Sequence, residues 1–459
     1  MRITLLSLVS VSMFVVIIPS TMFAADPGQS DIDALRTEIR QLRQEYESRI
    51  VELEKRVAVA EQQVPAAQVQ VLQSTPAAVE IPPLANTGFV DHARNVFNPA
   101  IGVIFQGQAW DYGHDPDRYR IPGFPLGGEA GPVSAGLGLG ETEIDISANV
   151  DDKFTAWLTL PIVVEDGAVN VEIEEAWIET TALPAGFSAR FGRMFSGIGY
   201  LNNRHSHSWD FLDQPLAYQA FLGNQYLDDG VQIRWLAPSD LYLELGAEIL
   251  RGDRYPAGGA SDSGFGSRSV FANTGGDLGD SASWLAGLSY LHAGSAARRS
   301  GDEDDPLLFS GDTDMMIADF VWKWAPNGNW KQKNFIFQSE YLWRRQDGNY
   351  RLPDGRRLPY DNDQNGGYIQ AIYQPFPQWR FGARYDMLSA DNPGSLFVGT
   401  DLEATGREPK RFSIMADWSN SEFSRLRFQY SRDESGPVNA DQWGLQYIFS
   451  IGAHGAHTF

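Results

Sequence analysis

The sequence predicts an all-β fold, a transmembrane antiparallel β-barrel of about 16 strands, preceded by an N-terminal α-helical coiled coil. Three observations predict it. From Asn98 onward the chain falls into alternating segments of about ten residues, the length of a tilted strand crossing a bilayer. The connections alternate between short turns and longer loops, as in outer-membrane barrels. The apolar register is rich in aromatics: Phe335, Phe337, Tyr341 and Trp343 share one face, as do Trp379, Phe381, Tyr385 and Met387, and Phe412, Ile414, Ala416 and Trp418. Side chains on a strand alternate between faces. A soluble sandwich or propeller shares that period, but aromatics bracketing an oily face match the girdles of a lipid-facing barrel.

The elements follow in order. Residues 1–25 have one basic residue, Arg2, an apolar run from Ile3 to Ile18, a breaker at Pro19 and small residues at Ala24 and Ala25, which predicts a signal peptide. Over 26–64, Ile32, Leu35, Ile39, Leu42, Tyr46, Ile50, Leu53, Val57, Ala60 and Val64 recur at steps of three or four, which predicts a periplasmic coiled coil. The consecutive steps of four through Leu42, Tyr46 and Ile50 form a stutter that relaxes the supercoil locally. Residues 65–97, rich in Pro and Ala without helical period, read as a linker.

The barrel is expected over 98–459. Its strands run from "PAIGVIFQGQAW" through "ETEIDISANV", "FTAWLTLPIVV" and "VNVEIEEAWIET" to the closing "WGLQYIFSIGAHGAHTF". Short turns fall at "NVDDKF", "TALPAGF", "LAPSDL", "GDLGDSAS", "APNGNWKQ", "PFPQ" and "SNSEF". Longer connections are expected near 111–140, 195–225, 251–263, 293–311, 345–364 and 389–409, while "VEDGA" and "DESGPVNAD" are short connections on the long-loop side. Strict alternation needs "GSRSVFANTGG" as a strand and puts both ends of the barrel on the short-turn, periplasmic side.

The 459 residues carry a net charge of −23, with 59 acidic residues against 36 Lys and Arg, and no cysteine. The missing cysteines exclude disulfides, thiolate metal sites and cysteine nucleophiles. The acidity argues against a nucleic-acid partner, which needs clustered cations.

If the oily register faces lipid, the other lines a lumen. Early strands then point Glu141, Glu143, Asp145, Glu172, Glu244 and Glu248 inward, with Glu174, Glu175 and Glu179 near an expected bulge. Late strands send in Arg380, Arg384, Arg411, Arg425 and Arg427. Acids on one wall and arginines on the other set a transverse field or neutralise each other in a plugged barrel. In "GYLNNRHSHSWDFLDQP", His205 and His207 are followed by Asp210 and Asp213, donors suited to Zn2+; the alternative is an infolded loop whose histidines only form hydrogen bonds. Asp361, Asp363, Asn365 and Gly366 copy the first half of a Ca2+ loop, although Ile372 stands where glutamate would close it, and a polar turn is the competing reading. "GLGLG" at 136–140 has no helix behind it, so it does not read as a dinucleotide motif.

The stretches "FSARFGRMFSGIGYLNNRHSHSWDFLDQPLAYQAFLGNQYLDDGVQIRWLAP", "FVWKWAPNGN" and "GAHGAHTF" resemble a proteobacterial outer-membrane family labelled zinc-regulated or TonB-dependent receptors. The architecture is similar to the phosphate-selective porin O and P group. The resemblance covers nearly all of residues 95–459 and implies outer-membrane insertion, with the terminal Phe459 serving as the signal to the barrel-insertion machinery.

The expectation is therefore a non-enzymatic, porin-like outer-membrane channel for small hydrophilic or charged solutes. It is expected as a homo-oligomer, a trimer by analogy with porins, with the loop at 195–225 as its constriction. Two alternatives stay open: a receptor or transporter for a divalent metal such as zinc, and a barrel hydrolase built around His205 with Ser206 or Ser208.

Overall fold

The computed structural model describes residues 99–452, apart from 166–167, 259–263 and 303. The predicted signal peptide, coiled coil and linker, together with His454, His457 and Phe459, lie outside the described residues.

The strands are β1 (Ala100–Tyr112), β2 (Gly136–Leu139), β3 (Thr142–Asn149), β4 (Phe154–Glu165), β5 (Ala168–Val171), β6 (Glu175–Thr180), β7 (Phe187–Phe195), β8 (Leu227–Leu236) and β9 (Tyr242–Leu250). They continue with β10 (Ser267–Leu278), β11 (Ala282–Ser300), β12 (Leu307–Trp324), β13 (Asn334–Arg351), β14 (Arg357–Phe376), β15 (Trp379–Ala390), β16 (Lys410–Ser421), β17 (Ser424–Asp433) and β18 (Ala440–Gly452). Both β2 and β3 pair with β1, and both β5 and β6 pair with β4, so each couple is one interrupted strand. The eighteen segments therefore make sixteen strands, all antiparallel. The last meets the first from Gly102↔Gly452 to Tyr112↔Gln442, which closes the barrel and removes both edges.

The lipid-facing register is visible along β18, where Trp443, Leu445, Tyr447, Phe449 and Ile451 are 39–50% exposed while the alternating Gln442, Gln446 and Ile448 are buried. Outward rings gather in clusters, with Tyr430 4.5 Å from Trp443 and Tyr341 4.7 Å from Trp343. An apolar outer face over a closed hydrogen-bonded cylinder is stable in hydrocarbon and costly in water. The protein is an outer-membrane barrel. The ladder begins and ends on the short-turn side, and the segment around Val270 forms β10 as the alternation required.

Two expectations on the long-loop side are corrected. Instead of long loops at 293–311 and 345–364, strands β11 to β14 run on to short connections at 301–306 and 352–356. Their outer register turns polar there, at Asp312, Asp314, Arg345 and Asp361, so the amphipathic signal fades while the ladder continues. Inside these tips, Leu307, Phe309, Tyr350, Leu358, Tyr360 and Phe397 form a small core of their own.

Candidate functional site: an infolded loop and the cavity beside it

Residues 196–226, between β7 and β8, fold into the barrel. Ser196 Oγ and Gly197 N–H donate to Glu248, and Gly199 N–H donates to Ser289 at 3.2 Å. Tyr200 N–H (2.9 Å), Leu201 N–H (3.0 Å), Tyr218 Oη (2.8 Å) and Tyr368 Oη (2.6 Å) all donate to the buried Glu340 carboxylate on β13. Only glycine fits at 199: its φ is +65°, and a Cβ would sit 2.6 Å from Tyr218 Oη and 2.7 Å from Glu340 Oε2.

The loop ends in a helix, α1 (Leu216–Leu222). Leu216 N–H donates to Asp386, and Gly223 closes the helix in the left-handed conformation. Two turns are too few to be stable alone. All seven side chains are buried, packing with Leu291, Met315, Ile317, Leu342, Tyr368 and Leu388 of the wall. The inward register of β11 to β15 is thus partly apolar, and the lumen on that side is packed rather than aqueous.

Between these anchors the loop crosses the lumen, and its charges sort by wall. On the acidic side, His205 Nδ1 lies 3.3 Å from Glu143 Oε2 and 3.1 Å from Glu174 Oε2, and its Nε2 lies 3.1 Å from Glu175 Oε2. His207 Nδ1 lies 3.0 Å from Glu143 Oε1. Burial disfavours charge on His205, but the three carboxylates outweigh it and raise its pKa well above the usual 6.5. On the arginine side, Asp210 pairs with Arg380, and Asp213 meets Arg384 at 2.8 Å and Arg411 at 2.9 Å. Burial pushes the Asp213 carboxyl up, but Arg411 and Arg384 hold it below the ordinary carboxylate value.

His205, His207, Asp210 and Asp213 therefore do not form one metal site. The loop spans the barrel between the imidazoles and the aspartates, and guanidiniums occupy the aspartates. Glu143 and Glu174 share the His205 cluster instead, and these three are the described residues whose donor atoms come together closely enough to hold an ion. The calcium expectation fails for a different reason. Asp361, Asp363 and Asn365 lie within β14, where same-face neighbours are about 6.6 Å apart. Asp361 pairs with Arg345, and Asn365 accepts from Tyr341.

The predicted lumen residues divide into three groups. Asp145 and Glu244 line an open cavity of about 940 Å³ bounded by the loop and by the wall from β3 to β12. Glu143 and Glu248 are buried as anchors of the loop, and partly buried Glu141 lies beside Glu143 and Glu174. Arg380, Arg384, Arg411, Arg425 and Arg427 face inward as expected but sit beneath the loop, not in an open ring. Asp386 and Asp417 on the same wall also neutralise them, and Arg425 donates to the His207 carbonyl. Glu172 does not line the cavity, because β5 stops at Val171 and the ladder restarts at Glu175.

Sequence reasoning missed the opposite charges of the cavity, Arg190 and Arg234, which share Glu179 at 2.7 and 2.6 Å. It also missed Asp386, although Asp386 has the same parity as Arg384 two residues earlier. The hydrolase constellation is not assembled: Ser208 Oγ donates to the His205 carbonyl, and Ser206 Oγ is engaged by Gln106 and Glu143.

A protein of Aquifex aeolicus (strain VF5), described as uncharacterized, is 32% identical over 345 residues, which is 71% of this chain and 70% of that one. The chain belongs to the family of that Aquifex protein. No family model matches it. OmpT of Vibrio cholerae is 10% identical over 77% of this chain and 97% of its own, with a TM-score of 0.47. The outer membrane channel DcaP of Acinetobacter baumannii is 12% identical over 77% and 97%, with a TM-score of 0.46. The anion-selective porin from Comamonas acidovorans is 8% identical over 77% and 99%, with a TM-score of 0.44. The receptor label suggested by the sequence gains no support from these comparisons. Sixteen strands is also the size at which barrels leave an aqueous channel, whereas plugged outer-membrane transporters use 22.

Proposed function

We propose that the barrel is a passive outer-membrane channel for small hydrophilic solutes, with residues 196–226 as its constriction. The observation that carries this reading is the polar cavity of about 940 Å³ inside a closed sixteen-strand barrel. Six carboxyl groups line it, including Asp145, Glu175, Glu244 and Asp319, against the guanidiniums of Arg190, Arg204 and Arg234. That excess of acid favours cations over anions. Catalysis is no part of the reading. Assembly as a homotrimer, supported by the heptad seam from Ile32 to Val64, is.

Purified protein added to a planar bilayer is expected to give stepwise conductance with a reversal potential on the cation side of zero in a KCl gradient. An inserted but insulating barrel would refute the channel.

A further inference from the structure

We propose that Glu143, Glu174 and His205 bind one divalent transition-metal ion of the zinc class, with Glu175 as the positioning residue that orients the imidazole. The site shares only His205 with the set His205, His207, Asp210 and Asp213 that the sequence suggested, and it does not depend on whether the barrel conducts.

His205 Nδ1, Glu143 Oε2 and Glu174 Oε2 are buried, and none has a hydrogen-bond partner outside this trio. They face one another, with Nδ1 3.3 and 3.1 Å from the two oxygens, and the three donor atoms lie within 4.8 Å of each other. The Glu143 side chain is fully buried. On the other edge of the ring, Glu175 Oε2 is 3.1 Å from Nε2, so it can hold the Nε2 proton while Nδ1 gives up its own to an ion bound between Glu143 and Glu174. Two buried carboxylates converging on one imidazole nitrogen need positive charge between them, which either the Nδ1 proton or a metal ion in its place supplies.

At the opposite wall the acids are met by guanidiniums: Asp210 and Asp213 of the loop and Asp386 and Asp417 of the wall each have one as partner. Glu143, Glu174 and Glu175 pair instead with imidazoles. The spacing also suits an ion. Ligands about 2.0–2.1 Å from a tetrahedral centre are about 3.3 Å apart, close to the separations from Nδ1. One nitrogen and two oxygens form a mixed donor set that suits zinc-class ions, and a carboxylate on the far ring nitrogen is the usual support of a ligating histidine. Because His205 and Glu175 also line the cavity, the fourth position is reachable from it. The three ligands come from β3, from the break between β5 and β6, and from the loop, so the ion would fasten the loop to the acidic wall.

The test is calorimetric titration of full-length, chelator-treated protein in detergent with ZnCl2, with barrel folding checked by heat-modifiable gel migration. One ion per chain at micromolar or tighter affinity is expected. His205→Ala and Glu174→Gln should each weaken binding at least about tenfold, and Glu175→Gln about 10- to 100-fold. Asp210→Asn should leave binding unchanged. If His205→Ala does not fold, the near-isosteric Glu174→Gln decides the matter. No saturable binding by the wild type, unchanged affinity in Glu174→Gln, or equal loss in Asp210→Asn would overturn the assignment.

Discussion

Asp213→Asn is the substitution that bears most directly on how the loop is held. The carboxylate sits between two buried guanidiniums, 2.8 Å from Arg384 and 2.9 Å from Arg411, and also accepts from Gln429 at 2.9 Å. Removing one partner of a buried ion pair costs about 3–5 kcal/mol. Here the lower figure applies, because Asp386 remains 3.0 Å from Arg384 and 3.9 Å from Arg411. The barrel ladder does not use Asp213, so the cost falls on the pinned state of the loop. About 3 kcal/mol multiplies the released fraction by about 140. The variant should therefore show rapid proteolytic nicking within 196–226 in an otherwise intact barrel. In a bilayer it should show a noisier open level and a reversal potential shifted toward anions by the loss of one carboxylate charge beside Arg384 and Arg411. Wild-type resistance to proteolysis together with wild-type selectivity would refute the assignment of Asp213 as a clamp.

Acid should act on the same clamp. Because the folded pKa of Asp213 is depressed, its contribution is fully present above the ordinary value of 3.8 and is lost as pH falls through the lower folded value. Proteolytic release is thus expected below about pH 3.8, and release already complete at pH 5 would contradict the pairing. Glu340→Gln replaces an acceptor facing four donors with a group that can meet fewer of them, and should loosen the loop by about 1–3 kcal/mol, read by the same proteolysis. Glu179→Gln frees Arg190 and Arg234 toward the cavity, and reversal-potential measurements should move toward anions. Leu445→Arg, on the outer face, should cost about 2–4 kcal/mol if the position lies near the bilayer midplane, measured by unfolding in lipid; no cost would place that face in water.

Much of the barrel was legible because its signals are local. The two-residue period, the aromatic outer register and the turn spacing fixed sixteen strands, the orientation of both ends and even the weak strand around Val270. The tall hairpins of β11 to β14 were not legible, since above the apolar belt both registers become polar. The break at 172–174 showed only as a blurred register, yet it delivers Glu174 to the histidines. The loop was recognised, but its path was not. His205 and Asp210 are five residues apart in sequence and serve opposite walls, a sorting decided by Glu143 on one side and Arg380 on the other. Short helix α1 escaped notice because its apolar run acquires meaning only against Leu342, Tyr368 and Leu388.

The central claim is that residues 196–226 lie inside the barrel, fixed to both walls. The chain has no cysteine, so engineered pairs are unambiguous. Gln106 on β1 donates to Ser206 in the loop at 2.8 Å. With Gln106→Cys and Ser206→Cys together, a short bifunctional thiol reagent applied to isolated outer membranes is predicted to join the two positions as efficiently as it joins a control pair at the facing strand positions Gln108 and Gln446. A control pair that links while the loop pair stays unlinked would contradict the account.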